Sequence, residues 1–252
     1  MHMVPLHHCH SLIRWKNITI KFMLNKYSTY ARFFPAVLSL IPISLLSHFY
    51  LYEKIPKLID SIILTKIAGD FSVLLIFVYF VMQTSRYVSK KYFQGNYFKN
   101  ESHFPTTNYL LCSDATYSED YKQKIKNKVA TDFSMTFLDE FSEKMDEESA
   151  RKKIVEAVNM IRSKVKNGRL LLQHNIEYGF VRNLLGGLAI SIPISVFNVV
   201  LFMFLENIIA LVLSCVLLLI FLTLFWFSED ILIYFAHNYA KVLFNEFLSD
   251  EM

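Results

Sequence analysis

The sequence predicts an all-α integral membrane protein, with four transmembrane helices arranged as two hairpins that flank a small cytoplasmic helical domain. Three observations predict it. Leu184–Leu205 and Ile208–Phe227 are uncharged runs of 22 and 20 residues, separated only by Glu206-Asn207. A helix needs about 20 mostly apolar residues to cross ~30 Å of hydrocarbon, where no water satisfies the backbone. Phe33–Tyr52 is another such run, 20 residues long. Between the runs, apolar side chains recur at helical spacing in a charged background. Composition agrees: 54% of residues are hydrophobic, mean hydropathy is +0.33 and Phe occurs 23 times.

Residues 1–32 form a basic N-terminal cytoplasmic segment, with Arg14, Lys16, Lys21, Lys26 and Arg32 and no acid. His7-His8-Cys9-His10 carries zinc-ligand chemistry, but a terminus without a supporting shell is a poor metal site, and no metal is expected. Met23 opens a short basic leader into the first apolar run, so residues 1–22 read as an upstream start. No cleavable signal peptide is expected, because the apolar run is long enough to remain in the membrane. The three cysteines, Cys9, Cys112 and Cys215, cannot all pair and share no metal spacing.

The first hairpin occupies 33–85, with spans at about 33–52 and 64–85. Pro42 is expected to kink the first span, which also holds Pro35 and His48. The second has an uncharged core, Phe71–Ser85, of 15 residues; extending it backwards takes in Asp70 and Lys66. Basic residues before the first span and at Arg86, Lys90 and Lys91 after the second put the N-terminus and the central segment in the cytoplasm. An even number of spans returns the C-terminus to the same side.

Residues 86–183 are the cytoplasmic, mostly helical domain. Tyr109–Cys112 reads as at most one short strand. Phe133, Phe137, Phe141 and Met145 recur every four residues, as on one helix. Asp146-Glu147-Glu148 reads as a helix start, followed by an apolar face at Ala150, Ile154, Ala157, Val158, Ile161 and Val165. Lys122, Lys124, Lys126 and Lys128 read as a solvated face or a contact to anionic lipid. Gly168 is the expected break before the chain runs into the second hairpin, 184–228. Residues 229–252 form an amphipathic helix, lying on the membrane or on the central domain.

Three groups are candidates for function. Asp70, His48 and Asn198 are the intramembrane polar residues. An acid in hydrocarbon is costly and marks a functional site, unless the span begins at Phe71 and Asp70 sits among headgroups. Gly187, Ser191 and Ser195 make a small-residue ridge for close helix packing, with Pro193 as its hinge. Ala210 and Ser214 make a shorter one. His174, Glu177, Tyr178 and Arg182, at the junction of domain and membrane, read either as an interfacial girdle or as a coupling segment. Asp114, Thr116 and Ser118, with the Phe104–Thr107 turn, are a candidate small-ligand lining. No nucleophile, metal set, phosphate-binding glycine loop or nucleic-acid module accompanies any of these, so neither an enzyme nor a cofactor is expected.

This arrangement is similar to that of small bacterial membrane effectors of abortive-infection and nucleotide-signalled antiphage systems. The resemblance is one of architecture. It implies an inner-membrane effector whose cytoplasmic sensor controls an oligomerising membrane module and perturbs the bilayer. The expected partners are the lipid bilayer, further copies of the chain, and a cytoplasmic protein or small nucleotide as trigger, with no nucleic acid. Two rival readings are a scaffold that docks a cytoplasmic partner and a small ion or solute transporter using Asp70 and His48.

Overall fold

A computed structural model of the chain describes residues 25–51, 67–166 and 168–249, and among these every regular element is helical. Helix α1 is Lys26–Leu51. Helix α2 is Ile67–Val88, continued through a widened turn, Ser89–Gln94, to Phe98. The central segment holds α3 (Pro105–Asn108), α4 (Glu119–Phe133), α5 (Glu140–Met145) and α6 (Glu147–Lys164). Then come α7 (Arg169–Phe204), α8 (Ile208–Trp226) and α9 (Ser228–Ser249). Three of them, α1, α7 and α8, are long and apolar enough to cross a membrane.

Helix α7 is the axis of the molecule. Its 36 residues span about 54 Å at 1.5 Å per residue, far more than one hydrocarbon layer needs. The first half belongs to the polar domain and the second to the apolar bundle. Helices α1, α2, α8 and α9 all pack against it.

In the domain, α6 begins where the acidic run predicts. Asp146 accepts from the Ser149 amide, and Glu147 and Glu148 occupy the first turn near the positive end of the helix dipole. Its buried face is Ala150, Ile154, Ala157, Val158 and Ile161, with Val165 just beyond the helix end. That face meets Leu232, Ala236, Leu243, Phe244 and Phe247 of α9 in one core. The C-terminal helix therefore lies on the domain and completes its core.

Other expectations are corrected. Tyr109–Cys112 is not a strand: it forms turns after α3, with the Leu110 amide donating to the Thr107 carbonyl at 3.3 Å and the Leu111 amide to Asn108 at 3.0 Å. Phe133 and Met145 do not share a helix either. Helix α4 stops at Phe133, where Ser134 turns left-handed at φ 53°, and α5 restarts behind the Asp139 cap. Phe133 then stacks on Phe247, whereas Phe141 and Met145 stay exposed.

The lysine run is not a solvated face throughout. Lys122 is fully buried, and its Nζ donates to the Leu111 carbonyl at 2.9 Å, to the Asp114 carbonyl and to Glu119 at 2.8 Å. Lys128 is buried too, 5.3 Å from the Phe247 ring centroid. From the other side of the same turn, Glu143 accepts from the amides of Cys112 at 2.9 Å and Ser113 at 3.3 Å. A buried cation and a buried carboxylate thus hold the two polarities of one turn.

Candidate functional site

The junction residues Tyr178 and Arg182 stand one turn apart on the face of α7 that also carries Leu171 and Asn175. Facing them are Arg162 and Lys166 at the end of α6, Gln94 from the extension of α2, Glu101 and Phe104, and Tyr239 of α9. Together they line a cavity of about 300 Å³. This is at the lower end of the range for small-ligand pockets.

The floor is aromatic. Phe104 meets Tyr178 edge-on at 5.5 Å and Phe98 at 4.9 Å, and Tyr178 stacks on Tyr239 at 6.3 Å. Two guanidiniums lie against it. Arg162 sits 5.8 Å from the Phe104 and Tyr239 ring centroids, and Arg182 sits 5.5 Å from that of Tyr178. Arg162 Nη1 donates to Glu101 Oε2 at 3.1 Å and to Asn159 Oδ1 at 3.3 Å, and Arg182 Nη1 donates to Gln94 Oε1 at 3.1 Å.

Three polar atoms at this cavity are buried without a partner: Arg162 Nε, Arg182 Nε and the Tyr178 hydroxyl. Buried polar groups are ordinarily bonded, and each unsatisfied one costs about 1–3 kcal/mol. Arg162, Lys166 and Arg182 outnumber the single acid, Glu101. The field extends past the cavity. Burial, followed by repulsion from Arg182 and Arg86, holds the Lys90 ammonium below its usual range. Burial also pushes the Tyr239 phenol up, against the opposing pull of Arg162.

The turn that delivers Glu101 is strained. Lys99, Asn100 and Glu101 have φ of 40°, 57° and 85°, three successive non-glycine residues in left-handed territory. Each such residue costs on the order of 1–2 kcal/mol. Arg162 and the Phe98–Phe104 contact hold it from either end.

Of the four expected coupling residues, two line this cavity and two do not. His174 and Glu177 pair with each other at 3.2 Å, and Gln173 donates to the same carboxylate at 3.0 Å. Arg162, Lys166, Gln94, Glu101 and Tyr239 were not singled out by the sequence. The spacing of Arg162 and Lys166 is the one local signal, and nothing local links them to Tyr239 of α9.

The small-residue ridge of α7 serves contacts within the chain, against α1 and α2. A Cβ on Gly187 would stand 1.9 Å from Ser39 Oγ, and one on Gly186 would stand 2.0 Å from the Ser85 carbonyl oxygen. Polar side chains run down the same face as rungs. Asn183 Nδ2 donates to the Ala31 carbonyl at 2.5 Å, Ser191 to Ser39 at 3.1 Å and Asn198 to Pro42 at 2.8 Å. The first rung has a sequence cause: Pro35 has no N–H, so it cannot serve the Ala31 carbonyl four residues back. Ser195 is buried on this face and Pro193 is exposed opposite it. On α8, Ala210 and Ser214 are buried as well.

His48 is exposed beside the Phe49 ring at the end of α1. Asp70 lies in the first turns of α2, but its side chain, like residues 1–24 with the His7–His10 block, lies outside the described residues. Among the described residues no cluster of His, Cys, Asp and Glu could hold a metal. The proposed lining at Asp114, Thr116 and Ser118 is local structure: Thr116 donates to Asp114 at 2.8 Å and Ser118 caps α4. Compared with protein-family models, curated proteins and solved structures, the chain matches none.

Proposed function

We propose that this protein is an inner-membrane effector in which a cytoplasmic helical sensor sets the state of a membrane module by moving α7. The observation that carries the reading is that α7 is one unbroken helix with its two halves in different parts of the molecule. Leu171 and Tyr178 are fixed in the polar domain, and Gly187, Ser191 and Asn198 are fixed against α1. A stiff helix held at both ends transmits a displacement between them, whereas a linker would dissipate it.

The membrane module is read as two hairpins, α1 with α2 and α7 with α8. Exposed Leu74, Ile76, Phe77 and Phe80 support α2 as its fourth span, since these side chains suit lipid. Arg32, Arg86, Lys90 and Arg182 gather at one level from three helices, which supports a cytoplasmic domain and cytoplasmic termini by the positive-inside rule. Oligomerisation of the module and a role in antiphage defence rest on the architectural resemblance alone.

The test is membrane potential in cells expressing the full chain. Ser191→Leu overpacks the contact with Ser39 and is expected to lock the module, giving a potential different from wild type at equal protein level. Two glycines inserted after Asn183 are expected to uncouple the domain. The same insertion after Gly168 is expected to be tolerated, because α7 keeps its own seat in the domain. Should all these chains leave the potential at the empty-vector level, the effector reading fails.

A second reading, a scaffold for a cytoplasmic partner, is favoured by a different surface. Phe141 and Met145 are 73% and 74% exposed and, with Leu138, edge an open groove of about 610 Å³ between α5 and α6. A contiguous apolar patch left in water marks a contact surface.

A further inference from the structure

We propose that the cavity at the head of α7 binds a phosphate group, and that Glu101 holds its place when it is empty. The inference deepens the sensor reading above and rests on it for its consequence, but it stands on the site itself. Arg182 and Tyr178 are more than nine-tenths buried, both line the cavity, and each holds a donor without a partner. Arg162 adds a third such donor, and Lys166 a further positive charge. Unpaired donors under a net positive charge suit an anionic group rich in acceptor oxygens. A phosphate has the oxygens to accept from both guanidiniums and the phenol together. A carboxylate is already present and reaches Arg162 alone.

The strained turn gives the empty state its second half. Glu101 is presented to Arg162 by three left-handed residues in a row. A phosphate that takes over Arg162 releases that acid, and Lys99–Glu101 is then free to relax. Bound phosphate thereby acts on two elements at once: Arg182 of α7, and the turn that follows α2. Both lead directly into the membrane module. The cavity lies two residues from the apolar run that starts at Leu184, so the phosphate can come from a soluble phosphate ester or from a lipid headgroup.

The test uses the purified full chain in nanodiscs, with thermal unfolding as readout. In phosphatidylcholine discs, inorganic pyrophosphate is added as the soluble probe; in parallel, phosphatidylglycerol replaces phosphatidylcholine with no pyrophosphate present. A saturable rise in Tm with pyrophosphate assigns the soluble source, and a rise with phosphatidylglycerol alone assigns the headgroup. In whichever arm responds, Tyr178→Phe is expected to weaken binding about tenfold, as for one hydrogen bond to a charged group. Its unliganded Tm should hold or rise, because the substitution removes a buried hydroxyl that has no partner. Glu101→Gln is expected to tighten binding severalfold, and Arg162→Gln to abolish it. The proposal is overturned if neither probe raises Tm, or if the rise is indifferent to both Tyr178→Phe and Glu101→Gln. Variant-sensitive binding in a protein whose expression never alters membrane potential would uphold this site and sink the effector reading instead.

Discussion

At the scale of single residues, what matters most in the domain is how it disposes of buried charge. Lys122 was legible as a lysine on a helix, but not as a buried one. Its partners are the main-chain carbonyls of Leu111 and Asp114, which no side-chain pattern announces. Lys122→Met keeps the length and removes the donors, leaving those carbonyls unsatisfied. The expected cost is about 2 kcal/mol of domain stability, read by thermal unfolding, and an unchanged Tm would refute the clamp. The histidines give a pH dependence. Tyr109 Oη is hydrogen-bonded to His237 Nδ1, and burial followed by the nearby Lys241 holds that imidazole below its usual value. His103 is held down by burial, then by Arg151 and Lys99. With native values below the unfolded value of about 6.5, the unfolded chain takes up these protons first as pH falls. Stability should therefore be full above pH 6.5, decline as pH drops through it, and level off below the native values. His237→Gln should flatten that decline in a pH series of unfolding midpoints.

At the scale of elements, the two ends of α7 show what a sequence can announce. The apolar runs of α7 and α8 were legible from length alone, and the ridge at Gly187, Ser191 and Ser195 from spacing. The partner of the ridge was not, because spacing says that helices approach and not which. Gly187→Val would drive a branched side chain into Ser39 and is expected to part α1 from α7. Thermal unfolding should then show a loss of about 1–3 kcal/mol relative to the parent, as overpacking typically costs. The other end is held from a distance. Glu246 of α9 accepts from the amides of Leu170 and Leu171 at 3.1 and 3.0 Å, capping α7 across 75 residues of sequence. Gly168 leaves room for that carboxylate, since a Cβ there would stand 1.4 Å from Glu246 Oε2. Glu246→Ala should cost about 1 kcal/mol, and amide exchange should quicken in the first turn of α7 before anywhere else.

At the scale of the whole molecule, fold class was the most legible property and the site the least. Hydrocarbon thickness sets span length directly; the sequence predicts four spans, and three of the described helices are long and apolar enough to cross a membrane. The cavity draws its lining from α2, the turn at Glu101, α6, α7 and α9, and no local rule brings those together. The amphipathic pattern of α9 promised a surface, and the surface proved to be the domain's own core. That closure governs how the protein is made. Helix α9 supplies Leu232, Ala236, Tyr239, Leu243, Phe244 and Phe247 to the core, yet it is synthesised after both α7 and α8. Until α9 is made, α4 and α6 lack the partner that buries their apolar faces, and α7 lacks its cap. The domain therefore closes only once α9 has been synthesised. A chain that stalls before α9 would offer proteases an open core, and only a completed one would hide it.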